Sequence, residues 1–391
     1  MRAPKPLLDP LRVLAQQVPA FRRAALAVKD GFDMATNQVA KHYPSVIQPK
    51  TEIISLAITS QCNLRCQGCR YGRDFMPGSR LSLDTVRTII DDAASLGIRW
   101  IRFYGGEPLV HTELTPMVEY ATSKGIHSWI STNGWLLNGA RFKQLRAAGL
   151  GTVNIGLYGT GKTYDDYVQK PGAFETLVRN LEEFRSISAD HRLHFSWLLA
   201  PNTCNLEQLR GAWQLARRFD AHFQVDIVHE DGVLPYFTDG PDHSLKLDRS
   251  IPKVEALVEE LIQIRTEHPG RYGESTASIR AIPDWIKPGK IKAPCDMYKH
   301  IWIGADGSVK LCYPAFPLGN INKARLTEVL YTEKHVRAAQ SAFQLKCPQC
   351  HCNRITRVRR DLPTRTQYGW GKTPAPIAVL DPALPLVQIE K

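Results

Sequence analysis

The chain has 391 residues, 43 % of them hydrophobic, and a formal net charge of +12. That length accommodates a large α/β domain with a smaller one beside it. No run approaches the 18 apolar residues of a membrane span, and the N-terminus lacks a continuous apolar signal core, so a secreted or membrane-spanning protein is not expected and a reducing cytoplasm is. In that setting nine cysteines point to metal binding rather than to disulfides.

Residues 1–48 read as a helical extension. Leu11, Leu14, Val18, Phe21, Ala25, Val28 and Phe32 recur at three- and four-residue steps, beside Arg12, Arg22, Arg23 and Lys29. This is the pattern of a basic amphipathic helix. Its apolar face is expected to pack across the larger domain; the second reading is contact with a membrane surface or a lipid. Residues 52–59 follow as a buried strand. The loop that leaves it carries Cys62, Cys66 and Cys69 at C-x3-C-x2-C spacing. Three thiolates hold three irons of a four-iron cluster and leave the fourth iron an open position for a small molecule. The C-x2-C half of the loop is also zinc spacing. A helix over 83–96 comes next, then a strand over 100–104 ending in Gly105, Gly106, Glu107 and Pro108. Glycines let a ligand approach the backbone, and a carboxylate at a strand end pairs with an ammonium group.

With both motifs in place the chain resembles the radical S-adenosylmethionine (radical SAM) superfamily. The resemblance implies that Cys62, Cys66 and Cys69 bind the catalytic 4Fe-4S cluster and that the open iron takes the amino and carboxylate groups of SAM. It implies that Gly105, Gly106 and Glu107 form the turn that meets the SAM amino group. Reductive cleavage of SAM then yields a 5′-deoxyadenosyl radical that removes a hydrogen atom from the substrate. Further strands at 128–134, 152–159, 195–202 and 223–228, with helices at 174–187 and 206–219, continue the rhythm. Repeated β-α units require parallel strands with right-handed crossovers, and six of them over 49–262 match the partial (β/α)6 barrel of this family. Ser131, Asn133 and Asn154 fall where the family contacts SAM; loop capping is the alternative for each. Two departures stand out. Gly68 occupies a position that is aromatic in many relatives. Gly156-Leu157-Tyr158-Gly159 replaces a Ser-Leu-Asp-Gly run, removing a carboxylate near the substrate mouth.

After a linker (263–292), residues 293–360 carry the remaining cluster of cysteines. Asp306-Gly307 marks a hairpin, which brings Cys295 and Cys312 together, and Cys347 and Cys350 add a C-x2-C pair. Four thiolates close a site fully. The segment resembles the twitch form of the SPASM domain, which implies one auxiliary 4Fe-4S cluster. Cys352 competes with Cys350 as a ligand, and a zinc ribbon is the other reading. Arg354, Arg357, Arg359 and Arg360 read as a solvated basic face or a grip on an anion. Cys204, just after a strand, is a candidate hydrogen-atom donor, with simple packing as the alternative. Residues 361–391 read as a tail laid over the surface.

The basic charge favours acidic partners, of which an electron-donating flavodoxin or ferredoxin is expected. Nucleic acid is not, since there is no RNA-binding motif and no aromatic–basic interleaving. The expected substrate is a small molecule such as a sugar, an aminocyclitol or another natural-product intermediate, because the single-cluster pattern resembles aminocyclitol dehydrogenases. Alternatives are a ribosomally made peptide, a lipid or polyprenoid, or a non-enzymatic electron-transfer role.

Overall fold

A computed structural model of the chain describes residues 19–228, 245–247, 250–287, 290–312, 315–347, 350 and 354–369, with side chains from residue 27 onward. An N-terminal helix α1 (Pro19–His42) precedes six strands: β1 (Ile53–Thr59), β2 (Trp100–Gly105), β3 (His127–Thr132), β4 (Thr152–Leu157), β5 (Arg192–Leu199) and β6 (His222–Ile227). Between them run α2 (Leu83–Ser95), α3 (Leu114–Ser123), α4 (Gly139–Ala147), α5 (Lys162–Val168), α6 (Ala173–Ile187) and α7 (Leu206–Arg218). Each of β1 to β5 pairs in parallel with its successor, as the alternating pattern predicts. The helix boundaries fall within a residue or so of those expected from sequence. Side chains that start them are legible too: Ser82 accepts from Thr85 N at 3.1 Å, and Asn205 from Gln208 N at 2.9 Å, each closing an N-terminal turn.

Pleating divides every strand between two environments. Ile101, Phe103, Ile130, Val153, Ile155, Phe195 and Phe223 share one apolar core with Ile89 and Ile90 of α2, Met117 of α3, Leu181 of α6 and Leu209 of α7. The alternate residues face the concave side and are largely polar, as described below. Among the described residues the sheet does not close into a full barrel. The outer edge of β6 is instead met by the segment after α8 (Ile251–Glu267), with Phe223 N donating to Arg271 O at 2.8 Å and Gly273 N to Phe223 O at 3.1 Å.

Beyond two short helices, α9 (Thr276–Arg280) and α10 (Ile282–Ile286), come β7 (His300–Ile303), β8 (Ser308–Lys310) and β9 (Pro317–Asn320). The hairpin expected at Asp306-Gly307 is present, with Trp302 opposite Lys310. Its first strand also joins the barrel: β7 pairs in parallel with β1, Ile53 opposite His300 and Leu56 opposite Ile303. One nine-stranded sheet therefore runs through both parts of the chain, in the order β6-β5-β4-β3-β2-β1-β7-β8-β9. The remaining helices are α11 (Leu326–Val329), α12 (Glu333–Phe343), α13 (Arg354–Arg360) and α14 (Leu362–Gln367).

Two expectations are corrected. The arginines of α13 are not a solvated basic face. Arg354, Arg357 and Arg360 are buried. Arg354 pairs with Glu274 and donates to Val225 O at 2.5 Å. Arg357 donates to Ala293 O at 2.7 Å, and Arg360 pairs with Asp296 and, at 3.1 Å, with Asp33. Their acidic partners come from segments far away in the chain, which no local pattern reveals. The second correction concerns α1, which packs inward through charged and small residues while Val28 and Phe32 face outward, each 73 % exposed. Leu11, Leu14 and Val18, and the tail from residue 370, lie outside the described residues.

Enclosed histidines give the fold an acid limit. Burial pushes His194 and His300 down to about 3, from an ordinary value of 6.5. Below 6.5 the unfolded chain binds protons that the folded chain refuses, so their contribution is complete above pH 6.5 and is lost as pH falls. The thermal midpoint is expected to drop below pH 6.5, ahead of carboxylate titration, with a shallower slope in His300→Gln; an unchanged slope in that variant contradicts the assignment.

Candidate active site

The cysteine loop springs from the C-terminal end of β1, where parallel α/β folds place their reactive groups. Its backbone is pinned from several sides. Gly106 N donates to Thr59 O at 2.8 Å and Glu107 N to Gln61 O at 2.8 Å, so the β1–β2 ladder continues past both strands. Gly72 N reaches Ser60 O at 2.7 Å, and Gln67 N reaches Tyr167 O of α5 at 2.8 Å. Two exposed guanidiniums hold the outside: Arg65 Nη1 donates to Cys62 O at 3.2 Å, and Arg73 Nη2 to Arg65 O at 2.6 Å and Cys66 O at 3.2 Å. Gly68 has φ of +69°, a left-handed conformation that a bulky residue adopts only at a cost, which accounts for the missing aromatic.

Burial, with mutual repulsion adding to it at Cys66, raises the three thiols, Cys62 to about 12 and Cys69 to about 11. Iron therefore has to displace protons as it binds. Leu64 N donates to Cys62 Sγ at 3.4 Å.

Glu107 faces inward. Its Oε1 accepts from Leu109 N at 3.0 Å and Thr132 Oγ1 at 2.7 Å, and its Oε2 from Asn133 N at 2.8 Å. A carboxylate has about four acceptor positions, so one at Oε2 is left over for an ammonium ligand. Burial pushes the acid up to about 7 against these donors. Asn133 ties the end of β3 to the loop, donating to Asn63 Oδ1 at 3.0 Å, with Cys62 Sγ at 4.0 Å. It also caps its own turn, accepting from Trp135 N at 2.9 Å.

Ser131 and Asn154 sit deeper, in a polar belt across five strands of the concave face. Ser131 Oγ accepts from Arg102 Nε at 2.8 Å and Asn154 Nδ2 at 3.4 Å. Ser196 Oγ donates to Asn154 Oδ1 at 3.1 Å and accepts from Gln224 Nε2 at 2.9 Å. Gln224 leads to Asp226 Oδ1 at 3.4 Å. Asp226, near the end of β6, is exposed at the far end of this belt. Burial raises its pKa, partly offset by Arg354. Arg102, Ser196, Gln224 and Asp226 were missed from sequence; the polar residue at every second position of β5 and β6 was the available signal.

The departure at 156–159 also gains a reason. Tyr158 stacks on Tyr167 at 5.0 Å, and a Cβ on Gly156 would lie 2.4 Å from its hydroxyl. Glycine at 156 thus leaves room for the Tyr158 ring, and Tyr158 lies within electrostatic reach of Cys66 and Cys69.

In the C-terminal part Cys312 is an electrostatic neighbour of Cys295, Cys350 and Cys347, so the four expected thiols do come together. Cys312 N donates to His300 O at 3.3 Å and Arg357 Nη1 to Cys350 O at 3.3 Å. Cys352 lies outside the described residues. Cys204 is 1 % exposed and packs in the apolar core.

The donor sets fit iron–sulfur clusters. Both are all-thiol, which suits soft metal centres. Cβ atoms on Gly105 and Gly106 would stand 2.1 Å from Thr59 O and Gln61 O, so both glycines are needed for the turn to close against the cysteine loop, which leaves the free acceptor position of Glu107 as the feature of the rim that fits a ligand's ammonium group.

Comparison with known proteins agrees. The family model described as the radical SAM superfamily matches residues 56–200, and that of the SPASM iron–sulfur cluster-binding domain matches 295–353. The chain belongs to the radical SAM superfamily, with a C-terminal SPASM domain, and these two domains imply SAM, a 4Fe-4S cluster and an auxiliary cluster as cofactors. An AdoMet-dependent heme synthase of Methanosarcina barkeri is 30 % identical over 171 residues, 43 % of this chain and 48 % of that one. A GTP 3′,8-cyclase of Peptoclostridium acidaminophilum is 26 % identical over 273 residues, 66 % of this chain and 79 % of that one. The match covers about half the length, or less, of this heme synthase and of an Fe-coproporphyrin III synthase from the same organism. Among solved structures, Streptococcus suis SuiB bound to precursor peptide SuiA superposes with TM-score 0.59 at 15 % identity, covering 81 % of this chain and 73 % of that one. AnSMEcpe with bound AdoMet gives TM-score 0.56 at 18 % identity, over 78 % and 88 %. At these identities the structural likeness is one of fold.

Gly106→Ala is expected to lower both iron retained per chain and 5′-deoxyadenosine formed by at least about tenfold, since the clash is with backbone. Gly31→Ala, in open space on α1, is the neutral comparison; equal iron content and turnover in the two variants contradicts the rim's role.

Proposed function

We propose that Cys62, Cys66 and Cys69 hold the catalytic cluster, that Gly105, Gly106 and Glu107 receive the SAM amino group, and that Cys295, Cys312, Cys347 and Cys350 hold the auxiliary cluster. The enzyme removes a hydrogen atom from a small molecule rich in hydroxyl or amino groups. The observation that carries this reading is the polar belt from Arg102 to Asp226, which lies on the concave face of the strands that end at the cysteine loop. A greasy substrate would cover Asp226, the most open member of the belt, without matching its carboxylate, at about 1–3 kcal/mol or more, whereas a hydroxyl or an amine satisfies it.

When bound, the clusters and SAM supply the electron and the 5′-deoxyadenosyl radical that starts the reaction. The protein's own residues do the rest. Oε2 of Glu107 holds an ammonium proton by hydrogen bond, and Asn133 keeps that carboxylate aligned with the cysteine loop. Ser131 and Asn154 present hydroxyl and amide groups below this point. Asp226 accepts a hydrogen bond from a substrate hydroxyl or ammonium, and its raised pKa suits it to take a proton as the substrate is oxidised. Tyr158 and its stacked partners wall the cluster from water. Arg65 and Arg73, exposed over the cysteine loop, offer an acidic electron carrier such as a flavodoxin or ferredoxin a positive landing surface.

Anaerobically reconstituted protein given SAM and dithionite is expected to form 5′-deoxyadenosine. Changing all three of Cys62, Cys66 and Cys69 to alanine should abolish this and remove four irons' worth of metal while leaving the auxiliary iron. Absence of 5′-deoxyadenosine from the wild type refutes the enzyme reading, and unchanged iron in the variant refutes the ligand set.

Asp226→Asn separates substrate handling from SAM cleavage. Slow 5′-deoxyadenosine formation without substrate should persist within about twofold, while stimulation by amino- and hydroxyl-rich small molecules falls by about 10²-fold, the scale of one positioned acid–base group. Equal losses in both assays would place Asp226 outside the substrate site.

A further inference from the structure

The polar belt holds one cation, and the chain does not balance it. Arg102 stands on β2 between Ile101 and Phe103, whose side chains lie in the apolar core, so its own side chain is on the concave face, where it is half-buried. In the parallel ladder Arg102 is opposite Trp129. Its Nε nevertheless donates to Ser131 Oγ, two residues further along β3, at 2.8 Å. The side chain therefore leans up the sheet, toward the strand ends that carry the cysteine loop. Its guanidinium is 4.7 Å from the centroid of the Tyr104 ring. Tyr104 in turn packs on Tyr71, in the small apolar cluster against which Cys69 rests.

A guanidinium has five N–H donors. Nε gives its one to Ser131, and Nη1 and Nη2 keep the rest. Among the described residues no carboxylate, carbonyl or hydroxyl accepts from these two atoms. The enclosed arginines of α13 are handled differently: Arg354 pairs with Glu274, and Arg360 with Asp33 and Asp296. The charge of Arg102 acts on His300 and on Asp226. His300 is held uncharged by burial, with its Nε2 2.7 Å from Ser55 Oγ. Asp226 lies four strands along the sheet and forms no ion pair with Arg102. The belt is cationic at one end and anionic at the other, and the two charges stand apart.

A substrate that covers Arg102 has to supply acceptors for Nη1 and Nη2, because donors buried without partners weaken binding. Two N–H groups on one rigid plane match two oxygens of a carboxylate or a phosphate, and charged pairs of this kind are the strongest hydrogen bonds a side chain makes. We propose that the substrate carries an oxyanion, a carboxylate or a phosphate ester, which docks on Nη1 and Nη2 of Arg102 while its amine or hydroxyl end faces Asp226. The proposal rests on the belt being the substrate site and narrows that reading to anionic or zwitterionic small molecules. Arg102 is then the residue that selects among polar substrates. It grips the charged end one aromatic layer below the cysteine loop and so fixes which part of the molecule lies nearer the cluster.

The test is calorimetric binding of glucose, glucuronate and glucose 6-phosphate, which share one scaffold, to the anaerobically reconstituted full chain with SAM present. Glucuronate or glucose 6-phosphate should bind at least about tenfold more tightly than glucose, and the tighter of the two identifies the oxyanion. Arg102→Gln should bring that anion to within about twofold of glucose, and Arg102→Lys, which keeps the charge but loses the fork, should retain part of the preference. Circular dichroism and iron content should match the wild type in at least the lysine variant. Equal or undetectable binding of all three probes by the wild type overturns the proposal, as does an anion preference undiminished in both variants. A loss of SAM affinity with the anion preference intact would assign the guanidinium to the SAM carboxylate and also overturn it. Binding needs no turnover, so these outcomes are distinct from an absence of 5′-deoxyadenosine, which refutes the enzyme reading alone.

Discussion

Two backbone hydrogen bonds, from Gly106 N to Thr59 O and from Glu107 N to Gln61 O, set the geometry of the whole rim. They exist because neither glycine has a side chain to keep the strands apart. Through them the turn after β2 becomes an extension of the cysteine loop after β1. Glu107 then carries the constraint one strand further, since its carboxylate binds Thr132 and the backbone of Asn133 at the end of β3. Three strand ends and a loop form one unit, in which a displaced cysteine displaces the ligand turn with it. The arrangement stores a cost as well: an acid held up near 7 by burial is a poor resting state for a carboxylate, and a bound ammonium group relieves it.

Below that rim the concave face changes character. The outward side of the sheet is largely apolar and packs against helices, while the inward side carries a hydrogen-bonded chain of serine, asparagine, glutamine, arginine and aspartate. Each member satisfies its neighbour, so the belt is affordable when empty of ligand, and Asp226 is its most open member. A network of this kind orients each side chain against rotation before anything arrives, which is where the orienting contribution of an enzyme resides.

The parts of this design that depend on short-range pattern were readable from the residues. The strand–loop–helix rhythm, the thiol spacing, the two glycines and the hairpin at Asp306-Gly307 are local, and each fell where expected. What depended on long-range pairing was not. The α13 arginines looked like a solvated face because Glu274, Asp296 and Asp33, which bury them, are distant in the chain. Periodicity found α1 but could not say which side would face inward, because a helix with ionic partners available need not hide its apolar stripe. Asp226 was passed over because a single acid in a short strand carries no spacing signature; its meaning comes from the four neighbouring strands. Gly156 and Tyr158 were noticed as parts of one departure, and only the fold shows that they crowd the same space.

The pairing of β7 with β1 bears on how this protein could have been assembled from parts. The strand that opens the auxiliary-cluster segment fills the lateral backbone positions of the strand that delivers the catalytic cysteines. Were the chain severed between the two, β1 would present an open row of donors and acceptors at the centre of the molecule, an invitation to mispairing with other chains. The C-terminal segment is thus less an appendage than the missing flank of the barrel, and the two thiol sets inherit a fixed separation from a shared ladder. Variation that alters the second site is constrained to leave that ladder intact, so diversity should accumulate beyond β7 rather than within it.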